Sequence, residues 1–224
     1  MRAGRLRGER GASSFVAGQD FTPMRTNVLY RVWPKALPAE LCRLIRVLGD
    51  ELTTIKATVG DFAHDAQTVK HRLDEGVRKT TVGFWDESHW LNGLLMHYAM
   101  LGNREQWNFE LSLLAGVQYA TYDRNSFYTW HTDELEMPYG PLSPAHWVRL
   151  NRKLSVAVQL TDSDAYTGGD LQLKDRLGNP MAIEGVRELG TVVVFPSNIA
   201  HTVTPVTSGV RNSLVGWVLG PPFR

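Results

Sequence analysis

Three side chains in the second half of this sequence, His131, Asp133 and His201, are of the types that ligate a divalent metal, and their order along the chain lets them meet. In His131-Thr132-Asp133 an imidazole and a carboxylate stand two positions apart, so on a strand both project from one face and can reach one ion. The second imidazole, His201, opens the run His-Thr-Val-Thr-Pro-Val far downstream. Two neutral nitrogens and one carboxylate form a facial set that leaves about three coordination positions free, which suits Fe(II) chemistry with a co-substrate and oxygen. A structural zinc site would close its sphere with four protein ligands, usually including cysteine, and Cys42 is the only cysteine in the chain. Taken singly, a histidine is more often a satisfied polar residue than a ligand, so the weight rests on the combination.

Arg211 extends the constellation. If Thr207-Ser208-Gly209 is a three-residue hairpin loop with Gly209 left-handed, Val206 pairs with Val210 and Pro205 with Arg211. Counting by twos then puts His201, Arg211, Ser213 and Trp217 on one face. A dicarboxylate that chelates the metal at one end would present its other carboxylate to Arg211, whose guanidinium accepts it in a bidentate fashion and stays charged when buried. Ser213 adds a hydroxyl donor. A jelly-roll or cupin-like binding module without catalysis is the competing class, but it has no need of a guanidinium buried opposite the metal. A metal hydrolase would need a general base, and Glu134, the neighbour in sequence, should point away if it continues the strand.

The elements that must position these residues are legible in part. Pro38 begins a helical run with Leu41, Leu44, Ile45 and Leu48 on a packing stripe and Gly49 near its end. A second helix opens at Asp86 as N-cap, carries Trp90, Leu91, Leu94, Leu95 and Tyr98, and is closed by Gly102. From Leu111 onward the texture changes to short strand-like runs at 111–122, 154–160, 170–174, 191–195, 201–206 and 213–219, punctuated by Gly, Pro, Asn and Asp. Many short strands without intervening helices indicate an antiparallel sandwich or barrel. The fold class expected is mainly β with flanking helices (α+β), on a double-stranded β-helix, or jelly-roll, core. The organisation expected is a basic tail over 1–25, a supporting region over 26–110 and the core over 111–224. The segment Glu134 to Asn151, rich in Pro with Tyr139 and Trp147, reads as either a lid or a plain connection. Gly168-Gly169 reads as a turn, because a strand and no helix follows it.

Composition sets the outer bounds. With 24 Lys and Arg against 23 Asp and Glu the net charge is +1, so no global field would recruit nucleic acid or an anionic membrane. The local exception, Arg2, Arg5, Arg7 and Arg10, reads as a solvated tail. A single cysteine suits a reducing compartment, and no apolar run is long enough to span a bilayer, so a cytoplasmic location is expected. Asp61, His64 and His71 lack ligand geometry and read as surface residues. Trp85, Trp90 and Trp107 read as packing.

Taken together, Gln118-Tyr119-Ala120-Thr121-Tyr122, Tyr128-Thr129-Trp130-His131-Thr132-Asp133, Arg152-Lys153-Leu154-Ser155, Gly168-Gly169-Asp170-Leu171, Phe195-Pro196-Ser197 and His201 through Arg211 resemble the prolyl 4-hydroxylase-like branch of the 2-oxoglutarate oxygenases, including the PKHD-type hydroxylases. The resemblance spans about Trp107 to Arg224. It implies a double-stranded β-helix with Fe(II) on His131, Asp133 and His201 and the 2-oxoglutarate carboxylate on Arg211. It further implies that Tyr122 hydrogen-bonds 2-oxoglutarate, that Tyr128 lies by the metal as a catalytic residue, and that Trp217 lines a substrate groove. Ascorbate as an accessory, and an amino-acid or polypeptide substrate, come with the same resemblance. Collagen-type prolyl hydroxylases carry Lys where Arg211 stands, which argues against collagen-like prolines as substrate.

Overall fold

The computed structural model describes residues 28–62 and 69–223. The tail assigned to 1–25, with its four arginines, lies outside the described residues, and so do the side chains of Asp61, His64 and His71.

Two antiparallel sheets face each other across the site. The larger has the spatial order β1 (Arg31–Trp33), β13 (Val192–Pro196), β9 (Asn151–Gln159), β16 (Arg211–Gly220), β7 (Leu113–Tyr122), β6 (Thr81–Trp85) and β2 (Ile55–Lys56), numbered along the chain. The smaller runs β12 (Pro180–Ala182), β11 (Leu171–Lys174), β14 (His201–Val203), β8 (Phe127–His131) and β5 (Arg78–Lys79). Two ribbons complete the strands, β3 (Val59–Phe62) with β4 (Val69–Arg72), and β10 (Tyr166–Gly168) with β15 (Val206–Gly209). From β7 to β9 and again from β12 to β14 successive strands alternate between the facing sheets, as in a double-stranded β-helix.

The central strands β7, β9 and β16 are buried along most of their length because both of their faces are covered. On β9, Leu154, Val156 and Val158 point into a core shared with the helices, while Ala157 packs between the sheets. The helix-side core joins Ile45, Leu91 and Leu95 to Val117, Val156 and Leu214. The inter-sheet core joins Ala120, Leu171, Leu173, Phe195 and Val206. Each such aliphatic side chain, fully enclosed, contributes roughly 1.5–3 kcal/mol of transfer free energy.

Helix α1 (Ala39–Asp50) follows its expected span, but its buried face is Cys42, Ile45 and Gly49 while Leu44 is half exposed. Gly49 lies near the end of the helix, as expected, and a Cβ there would lie 2.7 Å from the ring of Tyr119, so glycine lets α1 settle on β7. Helix α2 (Leu91–Gly102) starts later than expected, since Asp86 instead caps a turn, accepting from the N–H and hydroxyl of Ser88. The chain continues past Gly102 through a π turn and stops at Asn108, which is left-handed at φ 52°.

The hairpin expected at Thr207 to Gly209 does not form. Gly209 is left-handed as anticipated, at φ 73°, but β15 pairs with β10, Tyr166 opposite Gly209, while Arg211 starts β16 opposite Tyr122. The chain crosses between sheets at Val210, so His201 and Arg211 lie on opposing walls of the barrel and not on one hairpin. A three-residue loop and a sheet-to-sheet crossing share the same Gly signal, and the pairing partner supplied by the distant β10 decides between them.

Candidate active site

A cavity of about 860 Å³ opens between the two sheets, and His131, Asp133, His201, Arg211, Ser213 and Trp217 all line it. His131 and His201 are opposed partners on β8 and β14. Asp133 is not on the strand that was expected to carry it. β8 ends at His131, and Asp133 stands in the following bend, with its N–H donating to the Ser197 carbonyl at 2.9 Å. The same bend brings Glu134 to the cavity wall, where an uninterrupted strand would have turned it away.

The ligand atoms of His131, Asp133 and His201 lie within 4.8 Å of one another. His201 Nε2 is 3.4 Å from Asp133 Oδ2, and His131 Nε2 is 3.7 Å from Oδ1. Each imidazole places Nδ1 against a backbone carbonyl, His131 on Thr129 at 2.8 Å and His201 on Ile199 at 3.0 Å. A proton on Nδ1 then leaves the Nε2 lone pair facing the centre, the tautomer a metal needs. The Ser155 hydroxyl donates to Asp133 Oδ2 at 2.7 Å and holds the carboxylate in place. Burial drives the His131 imidazole far below its ordinary value, to about 3, and so keeps it neutral. For Asp133 burial works against ionisation, but the two imidazoles, Arg152 and the Ser155 hydrogen bond outweigh it and hold the carboxyl down at about 2. Two imidazole nitrogens beside one carboxylate, converging in a cavity, fit a divalent ion that keeps open coordination positions.

Arg211 is 4% exposed, and no carboxylate pairs with it among the described residues. Its Nη1 donates to Ser213 Oγ at 3.4 Å, and the guanidinium carbon is 5.4 Å from the centre of the Tyr122 ring. Gly169 makes room for it: a Cβ there would stand 3.2 Å from Arg211 Cδ, and its φ of +65° suits glycine. Tyr128 stacks on His131 with ring centres 3.4 Å apart. Trp217 carries the Arg152 guanidinium over its face at 4.1 Å.

Several wall residues carried no individual role in the sequence. Arg152 donates to Tyr139 Oη and to the Asp133 carbonyl, and Ser155 fixes Asp133; both fall inside a motif quoted above, but only the fold aims them. Arg78 and Gln118 come from strands of different sheets; Gln118 opens a motif quoted above, whereas no local signal marks Arg78. The segment after Asp133 is ordered against the cavity. Tyr139 and Trp147 line the mouth, and Glu87 on the β6–α2 turn accepts from Trp147 Nε1 at 2.5 Å and lies 2.9 Å from His146 Nε2.

The fold and the pocket define a double-stranded β-helix protein with a two-His, one-carboxylate group facing a buried arginine. Residues 117–219 match the family model described as the 2OG-Fe(II) oxygenase superfamily. Among curated proteins, a PKHD-type hydroxylase of Xylella fastidiosa (strain 9a5c) is 34% identical over 98 residues, which is 43% of this chain and 41% of that protein. The PKHD-type hydroxylase YbiX of Shigella boydii is 32% identical over 97 residues, 43% of this chain and 40% of the other. The chain is similar to these PKHD-type hydroxylases over 97 to 98 residues, about two fifths of their length. The fold is that of a Pseudomonas putida prolyl-4-hydroxylase, with TM-score 0.57, 20% identity and coverage of 85% of this chain and 91% of that one. It is also that of a viral collagen prolyl hydroxylase from Paramecium Bursaria Chlorella virus-1, with TM-score 0.58, 15% identity and coverage of 86% and 97%. No described helix is long and apolar enough to cross a membrane.

Proposed function

We propose that this protein is an Fe(II)- and 2-oxoglutarate-dependent dioxygenase, with iron on His131, Asp133 and His201 and the far carboxylate of 2-oxoglutarate on Arg211. When bound, iron with 2-oxoglutarate and O₂ supplies the oxidising power to hydroxylate an unactivated C–H bond, leaving succinate and CO₂. The chain's own part is geometric and electrostatic. The Thr129 and Ile199 carbonyls set the imidazole tautomers, and Ser155 orients Asp133. Arg211, Ser213 and Tyr122 form one end wall that receives a carboxylate and fixes the co-substrate's direction. Tyr128, pressed on His131, shapes the space where the reacting carbon must sit.

The observation that carries the reading is Arg211. A guanidinium buried to 4% without a carboxylate among the described residues is costly unless its anion arrives as a ligand. The substrate is an amino-acid side chain, prolyl or other, free or within a polypeptide. One of the fold's neighbours is a prolyl hydroxylase from Trichoplax adhaerens solved with a hypoxia inducible factor peptide fragment, and a peptide is a fitting occupant for a cavity of this size here. Ascorbate as an accessory rests on family resemblance alone. The test is anaerobic addition of Fe(II) and 2-oxoglutarate, which should produce a weak visible charge-transfer absorption that is lost in Arg211→Ala and in His201→Ala. A wild-type protein that binds the metal but gives no such band, with or without excess 2-oxoglutarate, would move a non-catalytic binding module ahead.

A further inference from the structure

Besides Arg211, the pocket holds a second buried guanidinium, Arg78, that has no carboxylate partner among the described residues. It is 8% exposed and lines the cavity from β5. Its Nε is enclosed with no acceptor, and its Nη2 reaches only the neutral Gln118 Oε1, at 3.3 Å. Gln118 is itself buried, at 3% exposure, so this contact brings no charge to the site. The third arginine that lines this cavity is engaged: Arg152 holds Tyr139 Oη and the Asp133 carbonyl and lies on Trp217. A 2-oxoglutarate molecule that chelates the metal has one carboxylate to give Arg211 and none left for Arg78.

We infer that Arg78 is a second carboxylate-binding group, and that the compound hydroxylated in this pocket carries a carboxylate which Arg78 holds. The inference rests on the oxygenase reading above and adds to it the chemical class of the substrate. Position supports it as well as charge. Arg78 is the cross-strand partner of Tyr128, with its guanidinium carbon 4.5 Å from the ring centre, and that ring is stacked on His131. A carboxylate on Arg78 is therefore one aromatic ring away from an imidazole of the candidate metal site, so a molecule anchored there would set a carbon a few bonds distant at the reacting position. Two sources offer this group, the α-carboxylate of a free amino acid and an acidic side chain next to the modified residue of a peptide.

The experiment uses the full chain loaded with Fe(II), saturated with 2-oxoglutarate and kept anaerobic. It is titrated calorimetrically with two matched pairs: L-proline against L-prolinamide, and the end-capped tripeptides Gly-Pro-Asp against Gly-Pro-Asn. The carboxylate member of one pair should bind about ten- to a hundredfold more tightly, the range of one charge-assisted contact, and the pair that discriminates identifies the source. Arg78→Gln should erase that preference, Arg78→Lys should keep part of it, and both should bind 2-oxoglutarate as the wild type does. If the Gln variant does not fold, the Lys variant carries the comparison, because it keeps the charge and loses the fork. Equal binding of both members, binding of none, or a preference that survives Arg78→Gln overturns the inference. So does a loss of 2-oxoglutarate affinity in Arg78→Gln, which would put Arg78 in the co-substrate site. Absence of the iron and 2-oxoglutarate absorption in the wild type sinks the reading of the site itself, whereas a normal absorption without discrimination sinks this inference alone.

Discussion

His131 and His201 are direct cross-strand partners, one on β8 and one on β14, with ring centres 4.1 Å apart. Their mutual placement is therefore written into a backbone ladder, and only Asp133, on the bend after β8, depends on a side-chain hydrogen bond from Ser155 to complete the group.

That division of labour separates two kinds of variant. His131→Ala and His201→Ala each remove a ligand and should abolish hydroxylation, since two protein ligands hold Fe(II) poorly. Ser155→Ala removes only the support of Asp133 and should weaken Fe(II) binding by about 10- to 100-fold while leaving the fold intact. Metal titration by calorimetry or by competition with a chelator checks both. Wild-type affinity in Ser155→Ala would assign Asp133's orientation to its backbone alone.

Arg211→Ala should cripple 2-oxoglutarate binding and leave Fe(II) affinity nearly unchanged. Loss of a bidentate charge-assisted pair, each bond contributing about 1.5–3 kcal/mol, corresponds to roughly two to four orders of magnitude in the dissociation constant. Arg211→Lys should restore part of it. An Ala variant with unaltered 2-oxoglutarate affinity would falsify the assignment of the co-substrate's far carboxylate.

The segment from Glu134 to Asn151 is expected to close further over a bound substrate, as Tyr139 and Trp147 already stand at the mouth. Glu87 tethers it through Trp147 and His146, so Glu87→Ala should speed amide exchange over 139–150 without changing the rest of the sheet. Hydrogen exchange by mass spectrometry reads both effects. No added protection of this segment with a hydroxylated substrate bound would refute the lid role, and unchanged exchange in Glu87→Ala would refute the tether.

The metal-free protein should lose stability on acidification before ordinary carboxylates titrate. His131 titrates near 3 in the folded chain against 6.5 when unperturbed, so between those values the unfolded chain binds a proton that the folded chain refuses, and stability rises with pH across that window. Asp133, lowered from 3.8 to about 2, acts in the same direction at the acid end: its contribution is complete above 3.8 and disappears as pH falls toward 2. The slope owed to one such proton is at most about 1.4 kcal/mol per pH unit. Urea unfolding at pH 7, 5.5 and 4 with chelator present measures it, and His131→Gln should flatten the upper part of the window. An equal slope in that variant would show the dependence to lie elsewhere.

The sequence by itself determined the residue types of the site and much of the core. His131, Asp133, His201 and Arg211 stood out as candidates because metal and carboxylate binding demand those few side chains, and the short strand-like runs from Leu111 onward, punctuated by turn residues, announced an antiparallel β architecture. Pairing partners are another matter, since they join residues far apart in the chain and leave no local trace. Tertiary structure alone put β15 against β10 instead of β16, so that Arg211 faces the candidate metal ligands across the barrel from the opposing sheet. It also put Asp133 on a bend, brought Ser155 from β9 beneath it, and carried Arg78 from a two-residue strand into the pocket. Those contacts depend on which strands neighbour one another, and that choice is made by the burial of whole faces, not by any one residue.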